Sequence, residues 1–237
     1  MKDKEQELSI VIPCKNEENY IWKLLCSLEK QDYPMKRTKI FIADANSTDN
    51  TIKEIRKNNK LDIQIVKGGM PSIGRNNGAR ACKSKYILFI DADIGLEDKN
   101  IIKNSIELMK KNELCFVTTS IRCKNGNFIE NIIFLFNNLI QRCSKYISPY
   151  GTGMYMMFEM KKFWELKGFD EKINYAEDYF LTKKLKSWEF GIVQGFVYTT
   201  NRRFKKIGYG KTILNFIKIA LNSGNKEYFY KDNGYWV

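Results

Sequence analysis

The stretch Tyr86-Ile-Leu-Phe-Ile-Asp-Ala-Asp93 decides the fold. Its first five residues are mostly β-favouring and apolar, and polar sequence bounds them, which predicts a buried strand. Asp91 and Asp93 follow where that strand ends, and in an open α/β sheet the carboxyl ends of the strands border the ligand crevice. Two crowded carboxylates repel each other unless a cation lies between them, which favours a divalent metal carrying a phosphorylated ligand. A simple turn or helix cap is the structural alternative.

Apolar runs and helical periodicities alternate through the first 120 residues, which predicts a mostly parallel sheet with right-handed crossovers. The predicted strands are 8–12, 39–43, 63–66, 86–90 and 115–120, and the predicted helices are 20–30, 51–55, 72–82 and 98–111. Beyond Ile121 the pattern changes to longer helices, loops and a late strand near 191–199. We therefore expect one domain over 1–237, with a nucleotide-binding half at about 1–120 and an acceptor-side half at about 121–237.

The composition narrows the chemistry. The chain has 40 basic and 27 acidic residues, a net charge of +13, and no histidine. Without histidine, Ser-His and Cys-His nucleophile systems and histidine-based zinc sites are excluded. No nucleic-acid-binding module is recognisable, so we expect no nucleic-acid partner and interpret the charge mainly as a lysine-rich surface, with an anionic membrane as the alternative. Six cysteines without a C-x-x-C pair predict reduced thiols.

Location is predicted from apolar segments. The first seven residues contain acidic groups and no apolar core, so we expect no signal peptide. No stretch approaches the roughly 18–20 apolar residues that span a bilayer, which predicts a cytoplasmic protein. Two amphipathic segments, 128–143 and 213–221, are expected to pack against the core, and peripheral attachment to the inner face of the membrane is the alternative hypothesis.

Five polar motifs occur in a fixed order along residues 8–188. They are Ser9-Ile-Val-Ile-Pro-Cys-Lys-Asn-Glu17, Asp44-x-x-Ser-Thr-Asp49, Arg75-Asn-x-Gly-Ala79, Asp91-Ala-Asp93, and Gly168-Phe-Asp-Glu171 leading to Glu177-Asp178. Together their order and spacing resemble the family 2 glycosyltransferases, which have the nucleotide-sugar-binding GT-A fold. The resemblance implies an α/β architecture with a Rossmann-like, mostly parallel central sheet flanked by helices and a smaller mixed acceptor-side region.

The resemblance implies a donor site at the ends of the first strands. It places Pro13, Asn16 and Glu17 beside the nucleoside of a nucleotide-diphospho-sugar, and Arg75 near the base or the diphosphate. The alternative role for Arg75 is a surface salt bridge. A carboxylate at Asp44 can accept a hydrogen bond from the imide of uracil, which favours UDP over GDP, and an Asx turn is the alternative there.

The resemblance also assigns the metal and the base. Asp93 would coordinate Mg²⁺ or Mn²⁺ within the diphosphate-binding Asp91-Ala92-Asp93, and Asp91 would hold the ribose or the water shell of the ion. Asp178 would be the general base that takes a proton from an acceptor hydroxyl, and Glu177 would orient the acceptor or support the loop. Attack opposite the leaving group would invert the sugar. Stabilisation of a helix start is the alternative role for these two acids.

The last third of the chain adds a basic segment and two departures from the family. Arg202 and Arg203 lie in a segment that resembles one which closes over the diphosphate in some members. Glu159-Met160 replaces a usual basic pair, and Lys167 replaces the first glycine of a Gly-Gly-Phe-Asp motif. The expected function is sugar transfer to a glycan or lipid-linked acceptor; the alternatives are a nucleotidyltransferase, a retaining transferase and a non-catalytic basic binding module.

Overall fold

The computed structural model describes residues 6–231, so the first five residues, on which the signal-peptide prediction partly rests, lie outside it. The strands are β1 (Leu8–Cys14), β2 (Lys39–Asp44), β3 (Asp62–Lys67), β4 (Tyr86–Ile90), β5 (Phe116–Cys123), β6 (Tyr155–Glu159) and β7 (Phe190–Thr199). They form one sheet in the order β3-β2-β1-β4-β6-β5-β7. The predicted α/β fold with a mostly parallel sheet is confirmed.

Helices cover both faces of this sheet. They are α1 (Ile21–Glu29), α2 (Thr51–Arg56), α3 (Pro71–Ala81), α4 (Ile101–Asn112), α5 (Phe128–Ser144), α6 (Met160–Glu165), α7 (Glu177–Thr182), α8 (Arg202–Ile207) and α9 (Tyr209–Asn222). Within residues 6–231, none of the helices combines the length and the apolar character that crossing a bilayer requires. All six cysteines are free.

One strand interrupts the parallel pairing. β1 is parallel to β2 and β4, β2 is parallel to β3, and β5 is parallel to β7, whereas β6 is antiparallel to both β4 and β5. Because β6 reverses the direction twice, β7 runs the same way as β4. The carboxyl ends of β1, β2, β4 and β7 therefore share one edge of the sheet, where a crevice forms.

β4 lies at the centre, and all five of its residues are buried. Leu88 and Ile90 face the apolar side chains of α1 and α4. On the other face, Phe89 packs against Phe163 and Phe169, with both ring centroids 5.1 Å away. Burial on both faces explains why this strand is an uninterrupted apolar run and why Asp91 follows it at a fixed position.

The apolar faces of α5 and α9 do not pack into the core, so that prediction is wrong. Apart from Phe134, which packs against the core, α5 exposes most of its large apolar side chains: Phe128, Ile129, Ile132, Leu135, Phe136, Leu139 and Ile140. α9 packs Ile219 against the small cluster around Phe180 and Phe229 but exposes Ile213, Leu214, Phe216, Ile217 and Leu221.

α5 is attached to the sheet through polar residues instead. Its buried residues are Glu130, Asn138, Gln141 and Ser144. The Asn138 side chain accepts from the backbone N–H of Ile121 at 2.9 Å and donates to its carbonyl at 2.8 Å. Ile121 lies beyond the last β5 residue that pairs with β6, so Asn138 satisfies backbone groups that would otherwise be orphaned.

Candidate active site at the carboxyl edge of the sheet

The loops after β1 and β2 are joined by side chains of the sequence motifs. Asn16, at a positive φ of 54°, donates its backbone N–H to Ser47 Oγ at 2.9 Å and accepts from the Thr48 N–H at 2.8 Å. The Glu17 N–H donates to Thr51 Oγ1 at 2.7 Å. These bonds hold the two loops side by side at the crevice, with Glu17 at its border.

Asp44 ends β2 and forms an Asx-type turn. Its carboxylate accepts from the Ser47 hydroxyl at 2.5 Å and from the Ser47 N–H at 3.1 Å. Pro13 pairs with Ala43 on the neighbouring strand, one residue before Asp44. The structural alternative for Asp44 is therefore realised, although a carboxylate that accepts two bonds retains lone pairs for a third donor.

Arg75 lies at the centre of a buried ionic cluster. Its side chain is 3% exposed, donates to Asp91 Oδ1 at 2.6 Å and also donates to Glu177 Oε1. The alternative of a surface salt bridge is therefore wrong. Burial lowers the pKa of Arg75, but the carboxylates of Asp91 and Glu177 outweigh it and raise the pKa, so the guanidinium stays charged.

Gly153, which carried no sequence signal, closes this cluster. Its N–H donates to Asp178 Oδ2 at 2.7 Å. The N–H of Tyr179 donates to the other oxygen of Asp178 at 2.8 Å. A Cβ atom added at Gly153 would lie under 3.0 Å from Nη2 of Arg75. Only glycine lets this backbone reach Asp178 while the guanidinium keeps its place.

Glu177 and Asp178 begin α7 directly after Ala176, a non-glycine residue at a φ of 62°. Burial has the largest influence on Glu177 and raises its pKa to about 7, while Arg75 opposes the rise. Burial also raises the pKa of Asp178, against the lowering effects of Arg75 and the two backbone N–H groups. Of the two residues, Asp178 is the less buried, since it is half-buried and Glu177 is 4% exposed.

Arg202 bridges the two sides of the crevice. It makes a bidentate pair with Glu17, at 2.7 and 2.8 Å, and reaches Asp93 Oδ2 at 3.3 Å. A two-way backbone bridge between Gly95 and Tyr198 brings the end of β7 to this position. Arg203 follows in the first turn of α8.

Asp93, the second acid after β4, has a perturbed carboxyl group. Burial has the largest influence and raises the pKa of Asp93 to about 6, neighbouring Asp91 adds to the rise, and Arg202 opposes it. Ala92, between them, is buried and fixes their spacing. A cation bound beside Asp93 would stabilise the ionised form of this buried carboxyl group.

The carboxylates at the end of β4 fit a divalent cation only in part. Oxygen ligands are what Mg²⁺ and Mn²⁺ prefer. Within residues 6–231, no group of three or more His, Cys, Asp or Glu side chains is arranged to hold a metal ion. Asp91 and Asp93 therefore suit an ion that receives its other ligands from phosphate oxygens and water.

Seven of the twelve site residues predicted from sequence gather around two arginines. Arg75 is buried beside Asp91, Glu177 and Asp178, and the more exposed Arg202 pairs with Glu17 and Asp93. Pro13, Asn16 and Asp44 lie at the ends of β1 and β2, Ala92 lies between Asp91 and Asp93, and Arg203 follows Arg202. Besides Gly153, sequence reasoning missed Ser47 as the partner of Asp44, and Tyr20, whose ring centroid lies 5.1 Å from the guanidinium carbon of Arg202. The Gly153–Asp178 and Tyr20–Arg202 contacts join segments far apart in the chain, so only the folded structure reveals them. Ser47 lies three residues after Asp44, and the Asx turn considered for Asp44 was the local signal for that contact.

Comparison with known proteins places this site in a family. A family model described as Glycosyl transferase family 2 matches residues 9–167. The chain is 27% identical to poly(ribitol-phosphate) beta-N-acetylglucosaminyltransferase TarS of Staphylococcus aureus over 133 residues, which cover 54% of this chain and 23% of TarS. It is 28% identical to the poly(ribitol-phosphate) beta-glucosyltransferase of Bacillus spizizenii over 138 residues, 56% of this chain and 22% of that protein. The chain thus spans about a quarter of the length of these curated relatives.

Solved structures show the same fold. S. aureus TarS 1–349 in complex with UDP-GlcNAc superposes with a TM-score of 0.66 at 23% identity, covering 82% of this chain and 58% of that one. The mannosyltransferase PcManGT from Pyrobaculum calidifontis, in complex with GDP-Man and Mn²⁺, gives a TM-score of 0.68 at 18% identity, covering 87% of this chain and 59% of that one.

Proposed function

The chain belongs to glycosyl transferase family 2, and we propose that it transfers a sugar from a nucleotide-diphospho-sugar to an acceptor hydroxyl. The observation that carries this proposal is the edge of the sheet after β4. There Asp91 and Asp93 lie between two arginines, Arg75 on the buried side and Arg202 on the open side. Such an arrangement suits a diphosphate with its counter-ion and exposes the sugar to a base across the crevice.

The proposed donor is a UDP-linked sugar. Asp44, at the end of β2, is oriented by Ser47 and can accept the imide N–H of uracil. Pro13, Asn16 and Glu17 form the loop against which the nucleoside would lie. TarS has been solved in complex with UDP and with UDP-GlcNAc, which supports UDP, whereas PcManGT has been solved in complex with GDP-Man. The nucleotide is therefore the first property to measure.

Mg²⁺ or Mn²⁺ is the proposed cofactor. Asp93 would hold the ion directly, and Asp91 would hold the ribose or a water on the ion. When bound, the ion would neutralise the charge that the diphosphate gains as the bond to the sugar breaks. Arg202 now pairs with Glu17 and Asp93. We propose that it turns to the diphosphate in the donor complex, and that Arg203 supports this segment.

Asp178 is the proposed general base. It is the less buried of the two acidic residues at the start of α7, and two backbone N–H groups hold its carboxylate in one orientation. The Asp178 carboxylate would take the proton of the acceptor hydroxyl while that oxygen attacks the anomeric carbon from the face opposite the leaving group. The new glycosidic bond would then have inverted configuration. Glu177 would act through Arg75, by fixing the guanidinium against Asp91.

The proposed acceptor is a hydroxyl of a glycan or a lipid-linked glycan, in cell-surface glycan or glycolipid synthesis. Both curated relatives described above are named for transfer to poly(ribitol-phosphate), so a polyol-phosphate polymer should be among the first acceptors tested. The cytoplasmic location stays a prediction.

Calorimetric titration of UDP, GDP and CDP tests the donor proposal. We expect UDP to bind in the presence of Mn²⁺, and EDTA or Asp93→Asn to weaken binding by at least tenfold. Asp62→Asn is the matched control, because Asp62 is exposed at the amino end of β3, away from the crevice. Failure of every nucleotide to bind with the metal present would overturn the proposal and favour a non-catalytic basic module.

A second experiment tests the base. Asp178→Asn should retain UDP binding within about twofold but lower the rate of sugar transfer by about 10²–10⁴-fold. NMR of the product would show the inverted anomer. A retained anomer, or undiminished transfer by the variant, would contradict the assignment.

A further inference from the structure

α5 and α9 present large apolar side chains to solvent. Phe128 is 79% exposed, Leu135 68% and Leu221 80%. We call the exposed apolar side chains of these two helices, as given above, the α5–α9 face. Large apolar side chains exposed in this number mark a site of contact with a protein or a membrane.

The two helices meet at their first turns. The Tyr209 hydroxyl, at the start of α9, donates to Glu130 of α5 at 3.0 Å and accepts from the Asn127 amide at 2.6 Å. Phe134 of α5 packs edge-on against Phe204 of α8, with 6.1 Å between ring centroids. These contacts hold the first turns of α5 and α9 side by side and join α5 to α8, which leads into α9.

Hydrogen bonds from polar residues of α5 to β5 fix the orientation of this helix. Asn138 makes two hydrogen bonds with Ile121, and Gln141 donates to Thr118 at 3.0 Å. Rotating the apolar side inwards would break these three bonds and leave buried backbone groups unpaired. The helix therefore keeps its apolar residues outside in the folded state.

The positive charge of the chain is concentrated on the segments that carry this face. Residues 121–150 and 190–231 contain twelve basic and two acidic residues, a net charge of +10 out of +13 for the whole chain. Three of the twelve, Lys124, Arg202 and Lys226, pair with acids outside these segments, and the others add to the positive charge of this side. One of the two acids, Glu130, is buried and accepts bonds from Asn127 and Tyr209. Lys211 and Lys218 are exposed on α9 itself.

A cleft beneath α5 has the same mixed character. Its volume is about 580 Å³, and both apolar and basic residues line it, among them Leu135, Leu139, Arg122 and Arg142. The guanidinium carbon of Arg122 lies 3.5 Å from the ring centroid of Phe196. Apolar side chains and arginines therefore occur together in this cleft.

From these observations we infer that the α5–α9 face docks on an anionic phospholipid membrane. Apolar side chains flanked by basic ones insert at the boundary between headgroups and acyl chains, where anionic lipids attract the basic groups. A second copy of the chain would instead bring another strongly positive surface against this one and be repelled. α5, at 17 residues, and α9, at 14, would lie in the plane of the membrane.

Docking on this face would place the crevice near the lipid surface. α8 begins at Arg202, which contacts Asp93 and Glu17, and leads through Gly208 into α9. This inference goes beyond the proposed sugar transfer and does not require it, because membrane binding can be measured without donor or acceptor.

Co-sedimentation with vesicles tests the inference. The vesicles contain phosphatidylcholine alone, or 70% phosphatidylcholine and 30% phosphatidylglycerol, in 0.1 M salt. We expect at least about tenfold tighter partitioning to the anionic vesicles, and weaker partitioning as the salt concentration rises, because counter-ions screen the lysines. Equal partitioning to both vesicles, or no sedimentation with either, would overturn the inference.

Matched variants locate the contact. Leu135→Asp should weaken partitioning at least about tenfold, whereas Trp188→Asp should not, because Trp188 is 70% exposed but lies at the amino end of β7. Lys211→Glu with Lys218→Glu should weaken partitioning about 25-fold or more. Lys36→Glu with Arg37→Glu, two exposed residues before β2, is the charge control.

Two outcomes separate this inference from its rivals. If the test variants and their controls partition alike, the α5–α9 face is not the contact and the inference fails. If analytical ultracentrifugation shows a wild-type dimer that Leu135→Asp makes monomeric, the face joins two copies and the inference also fails. If the protein binds vesicles but no UDP, the proposal of sugar transfer fails while the inference of a membrane-docking face is supported.

Discussion

Gly153→Ala is the substitution that most directly probes the buried ionic cluster. The backbone of Gly153 lies outside the left-handed region, so alanine is limited only by space. Its Cβ would lie under 3.0 Å from Nη2 of Arg75. That guanidinium cannot simply swing aside, because Asp91 holds it at 2.6 Å and Glu177 holds its other nitrogen.

The cost follows from these contacts. Restoring a normal separation of about 3.5 Å requires a shift of about 1 Å in the guanidinium or in the Gly153 backbone. Overpacking of a buried site costs about 1–3 kcal/mol, and disruption of a buried ion pair about 3–5 kcal/mol. We expect Gly153→Ala to lower the free energy of unfolding by about 2–4 kcal/mol, which lowers Tm by about 5–15 °C in a chain of this size.

Thermal and urea unfolding measure the effect. Gly210→Ala is the matched control, since a Cβ there meets nothing within 4 Å, and alanine should leave α9 unchanged or slightly more stable. UDP binding should fall with Gly153→Ala, because the added Cβ displaces Arg75, which holds Asp91. Sugar transfer should fall further, because Gly153 also positions Asp178. Neither should change with Gly210→Ala.

A double-mutant cycle can refute the reasoning. Arg75→Met removes the guanidinium, so in that background Gly153→Ala should cost less than about 1 kcal/mol. An equal cost with and without Arg75 would show that the added methyl group destabilises the protein through contacts other than Arg75. An unchanged Tm in the single variant would show that the cluster accommodates the methyl group at no cost in stability.

Three further predictions concern pH, backbone conformation and helix attachment. The folded-state pKa of Asp93, about 6, lies above its ordinary value of 3.8. The stability associated with its protonated form is therefore complete below about pH 4 and is lost as the pH rises through 6, where the buried carboxyl must ionise. Asp93→Asn should therefore stabilise the ligand-free protein by on the order of 2 kcal/mol at pH 8 and not at pH 4; equal urea midpoints at pH 8 would contradict this. Lys167 is exposed at a φ of 68°, so Lys167→Gly should raise stability by about 0.5–1 kcal/mol and Tm by about 1–4 °C, and a lower Tm would refute the strain. Asn138→Leu should cost about 2–4 kcal/mol in urea unfolding, because it leaves the N–H and carbonyl of Ile121 unpaired; a smaller loss would mean that water replaces the amide.

Local sequence predicted the elements whose burial is uniform. β4 has the predicted bounds because both its faces are covered, so each of its residues had to be apolar. β5 extends to Cys123 instead of ending at Ser120, because β7 pairs with it across an irregularity after Thr119. β6 was not predicted, because it is a strand only through antiparallel pairing with β4 and β5, which lie much earlier in the chain.

The orientation of α5 shows a different limit. Hydrophobic periodicity identifies a helix with an apolar side, but it does not say which side faces the sheet. Here Asn138 and Gln141 find partners on β5 that no local pattern reveals. The residues of the candidate site could be predicted because each lies in a local motif. Their mutual contacts could not, because Arg75 and Glu177 are 102 positions apart and only the fold brings them together.

The reversed strand β6 has a consequence for synthesis on the ribosome. It pairs with β4 on one side and β5 on the other, so when Cys123 has been made neither strand has its native neighbour on that side. At about 5–20 residues per second, the 36 residues to Glu159 take roughly 2–7 s. During that interval the nascent chain carries two apolar strands with open edges. Such edges self-associate when nothing covers them, and chaperones recognise them. Slowly translated codons between positions 124 and 154 should therefore lower the yield of folded protein more than equally slow codons after 159.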